Sequence, residues 1–286
     1  MDLQFWVVQA FNGISYGALL FLLASGLTLI FGVMRIVNLA HGSYFLLGGY
    51  VALSVIWTTG SWLLALPAAA LAIAAVGLVM ERVFLRPLGF DPLRQVLLTI
   101  GFAFLFQQAA LDIWGGDHLD ITPPDVLKES VVIGGLYFPV YRIFMIGMAV
   151  AIGLALWLAL DRTRIGAVVR AAVDDAEMAR GVGIDTSRVS MFIFALGAFL
   201  AALGGVIGGA FLGIYPGLDF VILPIAFAVV IIGGMGSLGG AAIGSLLVGL
   251  ADNFGKALFP EISYFTLYAP MVLILALKPT GLFGRE

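Results

Sequence analysis

The sequence lacks cysteine and is poor in charge. No cysteine occurs among the 286 residues, which excludes disulfides, thiolate metal sites and cysteine nucleophiles. Charged residues make up 11% of the chain and hydrophobic residues 62%, whereas an average soluble domain carries roughly 25% charged residues. Because so few charges cannot cover a water-exposed surface, much of the outside of this protein is expected to face hydrocarbon.

Several kinds of site lack the residues that they need. Only two histidines are present, His41 and His118, so neither a histidine-built metal site nor an intramembrane hydrolase is expected. The net charge of −3 gives no basis for nucleic-acid binding. The only Gly-Lys pair, Gly255–Lys256, is followed by Ala257, so the P-loop that holds ATP is missing. We therefore expect this chain to bind no metal and no cofactor.

Apolar segments long enough to cross a bilayer recur along the chain. About 20 mostly apolar residues span a hydrocarbon core of about 30 Å. The sequence therefore predicts an all-α polytopic membrane protein, a single domain over 1–286, with eight or nine hydrophobic helices, some of them broken or re-entrant. Six segments are clear candidates, at 12–33, 62–80, 95–113, 139–160, 190–213 and 263–277, and three further apolar stretches are of uncertain depth, at 42–58, 220–234 and 239–256.

Basic residues are distributed unevenly between these segments. All but three of the 14 Lys and Arg residues lie in or beside connections on one predicted side, and the exceptions are Lys128, Arg142 and Lys256. The connection 114–138 is acidic instead. Because Lys and Arg favour the cytoplasmic side, the N-terminus is predicted to be external and the C-terminus, with Arg285, cytoplasmic.

The basic stretch 161–188 is predicted to contain a short amphipathic helix. Small apolar residues recur on one helical face between 165 and 179, and Gly181 is a plausible residue after the helix end. The helix either lies on the lipid surface or docks in a groove of another protein. Its narrow, Ala-rich face lacks Trp and Phe anchors and therefore favours docking. Charged pairs spaced for helical ion pairs are Arg170–Asp174 and Glu177–Arg180.

Neutral polar residues near the membrane are candidates for a translocation pathway. The Gly-rich turn 233–240 reverses the backbone at low steric cost, either at the cytoplasmic interface or beside a pathway. The connection 34–44 lines a pathway or is simply the capped start of a helix. No Asp or Glu is predicted at the middle of a confident span, which argues against a proton-coupled carrier. The candidates are Asn12, Ser15, Tyr16, Asn38, His41, Ser43, Gly234, Gly236 and Ser237.

Five motifs resemble those of one permease family. They are Asn12–Gly17, Ile36–Gly42, Arg170–Ile184, Ile232–Ala241 and Lys278–Arg285. Together they resemble the LivH-type permease of the high-affinity ABC importers for leucine, isoleucine and valine, over nearly the whole chain. Urea, amide and other amino-acid permeases look similar, so the motifs indicate the family better than the solute.

The resemblance implies partners and residue roles. It implies a bacterial inner-membrane permease that pairs with a second related permease, with two separate ATPase subunits that use ATP and a periplasmic substrate-binding protein. It also implies that 166–181 is the ATPase-coupling segment. The family signature is altered there, because Arg170–Ala171–Ala172 stands where Glu-Ala-Ala is usual and Ala176 replaces a glycine. The candidate coupling residues are Arg170, Asp174, Asp175, Glu177, Arg180 and Gly183.

The expected mechanism is alternating access driven by the partner ATPases. Short segments that start near His41 and Gly239 are expected to be half-helices whose N-termini meet the carboxylate of a zwitterionic solute. The alternative is a secondary carrier or channel that works alone.

Overall fold

A computed structural model describes residues 2–89 and 91–284. Within this part, each of the nine predicted apolar segments forms a helix, and the predicted all-α membrane fold is confirmed. The helices are α1 (Leu3–Met34), α2 (His41–Thr59), α3 (Trp62–Val79), α4 (Pro92–Trp114), α5 (Asp125–Lys128), α6 (Val140–Arg162), α7 (Arg164–Asp174), α8 (Ala176–Gly181), α9 (Thr186–Leu212), α10 (Leu218–Gly233), α11 (Leu238–Leu258) and α12 (Ser263–Leu277).

Six helices in the described residues are long and apolar enough to cross a membrane, judged by length and composition. They are α1, α4, α6, α9, α11 and the helix Trp62–Leu88, which joins α3 to a π-helical turn, Met80–Leu85, and a 3-10 turn, Arg86–Leu88. The apolar helices Leu218–Gly233 and Phe265–Leu277 are shorter. A short apolar helix needs other parts of the protein around its ends, because backbone groups cannot stay unpaired in hydrocarbon.

The first helix lies at the centre of the bundle. It packs against α6, α9, α10 and α11, and Leu20, Leu22, Leu23 and Leu27 are fully buried. Its apolar residues occur on all sides, which is the pattern of a helix surrounded by other helices. The prediction placed its start at residue 12, whereas the helix begins at Leu3.

A stripe of small residues at intervals of four in α9, Gly197, Ala201, Gly205 and Gly209, allows α2 to approach closely. A Cβ atom on Gly205 would lie 1.9 Å from the carbonyl oxygen of Phe45 in α2. One on Gly48 of α2 would lie 2.5 Å from the Cα of Ala202. Small residues at this spacing let two helix backbones come together in a membrane, so the stripe is a packing surface.

The acidic connection contains a small β-hairpin that the sequence analysis did not predict. Strands β1 (Ser130–Ile133) and β2 (Leu136–Pro139) pair antiparallel with Ile133 opposite Leu136. The two turn residues, Gly134 and Gly135, have φ angles of 58° and 82°. A two-residue hairpin turn needs positive φ at both positions, which glycine supplies without strain.

Tertiary contacts gather the basic connections at one end of the bundle. The Arg86 guanidinium donates to the Ser187 carbonyl at 3.0 Å, and Leu282 N donates to Ile232 O at 2.9 Å. The acidic connection lies at the opposite end, where Leu119 forms an isolated β-bridge with Ile214 after α9. Arg285 lies outside the described residues.

Candidate functional site

Helix α2 begins inside the bundle, as the sequence predicted. His41, its first residue, is fully buried, and its Nε2 lies 3.0 Å from the carbonyl oxygen of Leu23 in α1. Leu23 is three turns before the end of α1 at Met34, roughly 16 Å at about 1.5 Å per residue. The connection 35–40 therefore runs back into the bundle after Arg35, which ends α1 in the left-handed conformation with φ of 53°.

The N-terminus of α10 meets that of α2 at this depth. Ser43 Oγ donates to Asp219 Oδ2 at 2.8 Å. A Cβ atom on Gly42 would lie 2.6 Å from the carbonyl oxygen of Asp219, so glycine is needed where the two helices touch. The second half-helix therefore begins at Leu218. The prediction that it begins near Gly239 is wrong, because α11 is a membrane-length helix that starts beside the end of α1.

Around this junction, five buried polar residues form what we call the buried polar cluster. Ala40 N donates to Asn38 Oδ1 at 3.1 Å, and Leu39 N donates to Thr99 Oγ1 at 3.2 Å. Polar side chains thus bind the N–H groups just before α2, which supports the interpretation of the connection 34–44 as a satisfied entry to the helix. Its role in lining a pathway stays a prediction. The cluster comprises Asn38, His41, Ser43, Thr99 and Asp219, each at most 2% exposed.

Three acidic residues are buried in the bundle. Glu81, Asp219 and Asp252 are 2%, 2% and 3% exposed. The sequence analysis predicted only that no Asp or Glu lies at the middle of a confident span, so the burial of these carboxylates near helix ends is a further finding, and it weakens the argument against a proton-coupled carrier. Asp219 carried a usable signal, since an acidic residue just after Gly217 is typical of a first helical turn.

The predicted pathway residues on α1 lie away from the buried polar cluster, near the end of the bundle that carries the acidic connection. Arg142 donates to Asn12 Oδ1, and Ser15 Oγ donates to the Phe11 carbonyl at 2.7 Å. The Lys256 ammonium is 5.7 Å from the centre of the Tyr16 ring. These residues do not contact the buried polar cluster through any described hydrogen bond.

The predicted turn residues Gly234, Gly236 and Ser237 lie at the basic end. Both glycines have positive φ, 99° and 82°, and Ser237 Oγ accepts from Gly240 N at 3.0 Å to cap α11. A Cβ atom on Gly236 would lie 3.1 Å from the Cα of Gly32 near the end of α1. The nine pathway candidates thus fall at three heights along the bundle, and only Asn38, His41 and Ser43 belong to the buried polar cluster.

The predicted coupling helix is divided into two helices. Asp175 is extended, with φ of −152° and ψ of 99°, and its Oδ1 accepts from Glu177 N at 3.0 Å and Met178 N at 2.9 Å. An Asp in this position stabilises a new helix start, so a single helix over 166–181 is wrong. The glycine after the helix end was predicted to be Gly181, but it is Gly183, which has a φ of 88°. Ile184 N next to it donates to Ala179 O at 2.9 Å, as is usual at a helix end terminated by glycine.

The small apolar face of this segment is used inside the chain. Val169 and Ala172 are buried in a cluster with Leu29 of α1 and Ile193 of α9, so this face cannot dock into a partner and the prediction is corrected. The Arg170 guanidinium donates to the Leu160 carbonyl and lies 3.7 Å from Asp161 Oδ1. The exposed coupling candidates are Arg170, Asp174, Asp175, Glu177, Arg180 and Gly183.

Two large apolar residues remain on the outer surface of the segment. Met178 is 66% exposed and Val182 is 71% exposed, and both lie among exposed charged residues. We call the exposed residues of 174–183 the α8 surface. The α8 surface has apolar side chains surrounded by charged ones, which is the composition of a protein-docking patch.

Removing the cap at Asp175 should loosen the α8 surface. Asp175→Ala leaves the N–H groups of Glu177 and Met178 without their side-chain acceptor, at a cost of about 1 kcal/mol. We expect faster amide hydrogen exchange over 176–181, with 186–212 unchanged. Asp175→Asn keeps a capping oxygen and should exchange like the parent protein. Equal exchange in the alanine and asparagine variants would contradict the capping role.

Sequence comparison assigns this bundle to a family. A family model described as the branched-chain amino acid transport system permease component matches residues 9–275. The chain belongs to this family. The matched range includes four of the five motifs, and Lys278–Arg285 lies beyond it.

Curated relatives of this permease family span nearly the same length. The chain is 29% identical to the high-affinity branched-chain amino acid transport system permease protein BraD of Pseudomonas aeruginosa, over 99% of this chain and 97% of that protein. It is 32% identical to the corresponding protein LivH of Escherichia coli K12, over 98% and 96%. The autoinducer 2 import system permease protein LsrC of Yersinia pseudotuberculosis is 27% identical, over 88% and 72%. Permeases named for different solutes thus share this sequence pattern.

Proposed function

We propose that this chain is one permease subunit of an ATP-driven importer for branched-chain amino acids. The observation that supports this most is its likeness, over nearly the full length, to permeases named for branched-chain amino acid transport. The buried polar cluster, with two helix N-termini inside an apolar bundle, suits a small solute that carries a carboxylate. The likeness to an autoinducer 2 permease makes a different small polar solute the second candidate.

The proposed assembly contains two permeases, two ATPases and a binding protein. A second, related permease would pair with this chain in the bacterial inner membrane. Two ATPase subunits would bind the basic end through the α8 surface, and the periplasmic binding protein would deliver solute at the acidic end. The missing P-loop fits a division of labour in which ATP is bound by partner subunits.

The proposed orientation follows from the two ends of the bundle. The end that carries Arg86, Arg164 and Arg180 would face the cytoplasm, and the end that carries the hairpin would face the periplasm. The N-terminus would then be external, and the C-terminal tail, which pairs with Ile232, cytoplasmic.

Reconstitution tests the proposal directly. The complete set of subunits in proteoliposomes should accumulate L-leucine only with its binding protein outside and ATP at the ATPase subunits. Omitting the ATPases, or supplying a non-hydrolysable nucleotide, should reduce uptake to the level of protein-free vesicles. Leucine uptake by this chain without any ATPase would assign it to the secondary carriers. ATP-dependent uptake of another solute, with none of leucine, would support the second candidate.

A further inference from the structure

Polar side chains recur along the packed helices α2 and α4, and we call this set the α2–α4 seam. Its external end is a hydrogen bond of 2.8 Å from Trp114 Nε1 to Ser54 Oγ, and Trp114 stacks on Tyr50 at 4.9 Å between ring centres. Its deep end is the contact of Leu39 with Thr99 in the buried polar cluster. The spacing of seven or eight residues keeps these side chains on one helical face. The seam comprises Ser43, Tyr50 and Ser54 of α2 with Thr99, Gln107 and Trp114 of α4.

Asp219 extends this seam onto α10. Its Oδ2 accepts from Ser43, so the carboxylate faces α2. A Cβ atom on Gly217, at the start of α10, would lie 3.6 Å from Gln107 Nε2. Three helices therefore bring polar groups to one place at the depth where α2 and α10 begin.

Polar atoms in the seam and in the adjoining buried polar cluster have no hydrogen-bond partner in the part of the chain that the structure describes. They include Tyr50 Oη of the seam, with Asn38 Nδ2 and Asp219 Oδ1 of the cluster. A buried polar group without a partner is costly, and such groups in a membrane protein mark ligand or ion routes. The seam therefore has hydrogen-bonding capacity that the described residues do not use.

The carboxylate of Asp219 also lacks a cationic partner. None of the ion pairs among the described residues includes it, whereas the other buried carboxylates, Glu81 and Asp252, are matched by Arg86 and Lys256. Backbone groups in the first turn of α10 lie close to the carboxylate, and the helix dipole there stabilises negative charge. A carboxyl group without a cationic partner at this depth suits a cationic ligand, which would supply the missing positive charge.

The start of α10 is close to an open groove. Phe220 and Leu223, one and four residues beyond Asp219, line a groove of about 570 Å³ between α4, α10 and α12. Leu223 lies one turn beyond Asp219 on α10, so the groove lies beside the first turn of this helix.

We propose that Asp219 binds the ammonium group of the transported solute, with the α2–α4 seam as its approach from the external end. This inference rests on the proposed function and narrows it, since it requires a solute with a primary ammonium group. The uncharged polar groups of the seam would replace the water around the ammonium group, and Asp219 would neutralise its charge.

A charge-removing variant tests the proposal in the complete reconstituted importer. Asp219→Asn keeps the shape of the side chain and should lower L-leucine uptake roughly tenfold or more, the usual size of losing a hydrogen bond to a charged group. The assembled complex should be recovered in the same amount as the parent on a size-exclusion column, so that a loss of uptake does not reflect a loss of assembly. Asp252→Asn is the matched control, because Asp252 is also buried but already pairs with Lys256 at 2.7 Å; it should keep most of its uptake.

The outcomes separate this inference from the proposed function. If the parent complex imports leucine and Asp219→Asn imports it as well as Asp252→Asn, Asp219 does not bind the ammonium group. If the parent complex imports no leucine at all, the result contradicts the proposed function, whatever the role of Asp219.

Cysteine labelling gives a readout that does not depend on transport. The chain has no cysteine of its own, so Ser43→Cys, Tyr50→Cys and Asp219→Cys each introduce one reactive thiol. A trimethylammonium methanethiosulfonate reagent added outside should label them faster than Leu105→Cys, which replaces a side chain 58% exposed on the lipid-facing surface of α4. Saturating leucine should slow the labelling. Labelling of all three at the rate of the Leu105 control would overturn the seam as an approach.

Discussion

Gly205→Val is expected to prevent normal packing of α2 against α9. The first added carbon would lie 1.9 Å from the Phe45 carbonyl oxygen, and backbone atoms cannot move away as a flexible side chain can. Forcing extra carbons into a packed interior typically costs 1–3 kcal/mol, and a backbone clash should reach at least about 3 kcal/mol. Because the same packing holds α2 at its depth, the buried polar cluster should be lost as well.

Thermal unfolding in detergent, followed by retention on a size-exclusion column, measures this effect. Gly101→Val is the matched control, since a Cβ atom on Gly101 in α4 would have nothing within 4 Å. We expect the Gly101 variant to unfold close to the parent temperature and the Gly205 variant to unfold far below it or to fail to insert. Equal unfolding temperatures would refute the close approach of the two helices.

Placing two carboxylates on the α8 surface is expected to abolish attachment of the partner ATPases. Met178→Asp combined with Val182→Asp replaces the large exposed apolar side chains of this surface, which are 66% and 71% exposed. Desolvating charges at a docking patch is costly, so capture of the ATPase subunits should fall at least about tenfold and uptake should disappear. Membrane insertion should be unchanged, because neither side chain belongs to the packed interior.

Co-purification of the ATPases with this chain checks the prediction. Val126→Asp is the control, because Val126 is 77% exposed but lies in α5, in the acidic connection. That variant should capture the ATPases like the parent. Normal capture by the Met178 and Val182 double variant would remove the α8 surface from the proposed interface, and loss of capture by the Val126 control would point to general misassembly.

The sequence by itself determined the membrane class, the positions of the apolar helices and the basic and acidic ends. The physical reason is that hydrocarbon admits apolar segments whose backbone groups pair with one another, as they do in a helix, so the hydropathy of each residue carries the signal. The predicted 263–277 and the observed Ser263–Leu277 agree for that reason. The start of α1 was missed because residues 3–11 mix polar and apolar side chains, although the helix continues through them.

Only the tertiary structure decided how deep in the bundle each helix begins and which neighbours the apolar face of each helix contacts. Hydropathy does not distinguish a helix that crosses the membrane from one that starts inside it, so the meeting of α2 with α10 depends on contacts such as Ser43 with Asp219. From the sequence, the apolar face of 165–179 could pack against a partner protein or against helices of the same chain. In the structure, residues of this face pack against Leu29 and Ile193 of the same chain. Burial of Asp219 likewise follows from which helices surround it, and that is set by long-range packing, which the local pattern of residues does not contain.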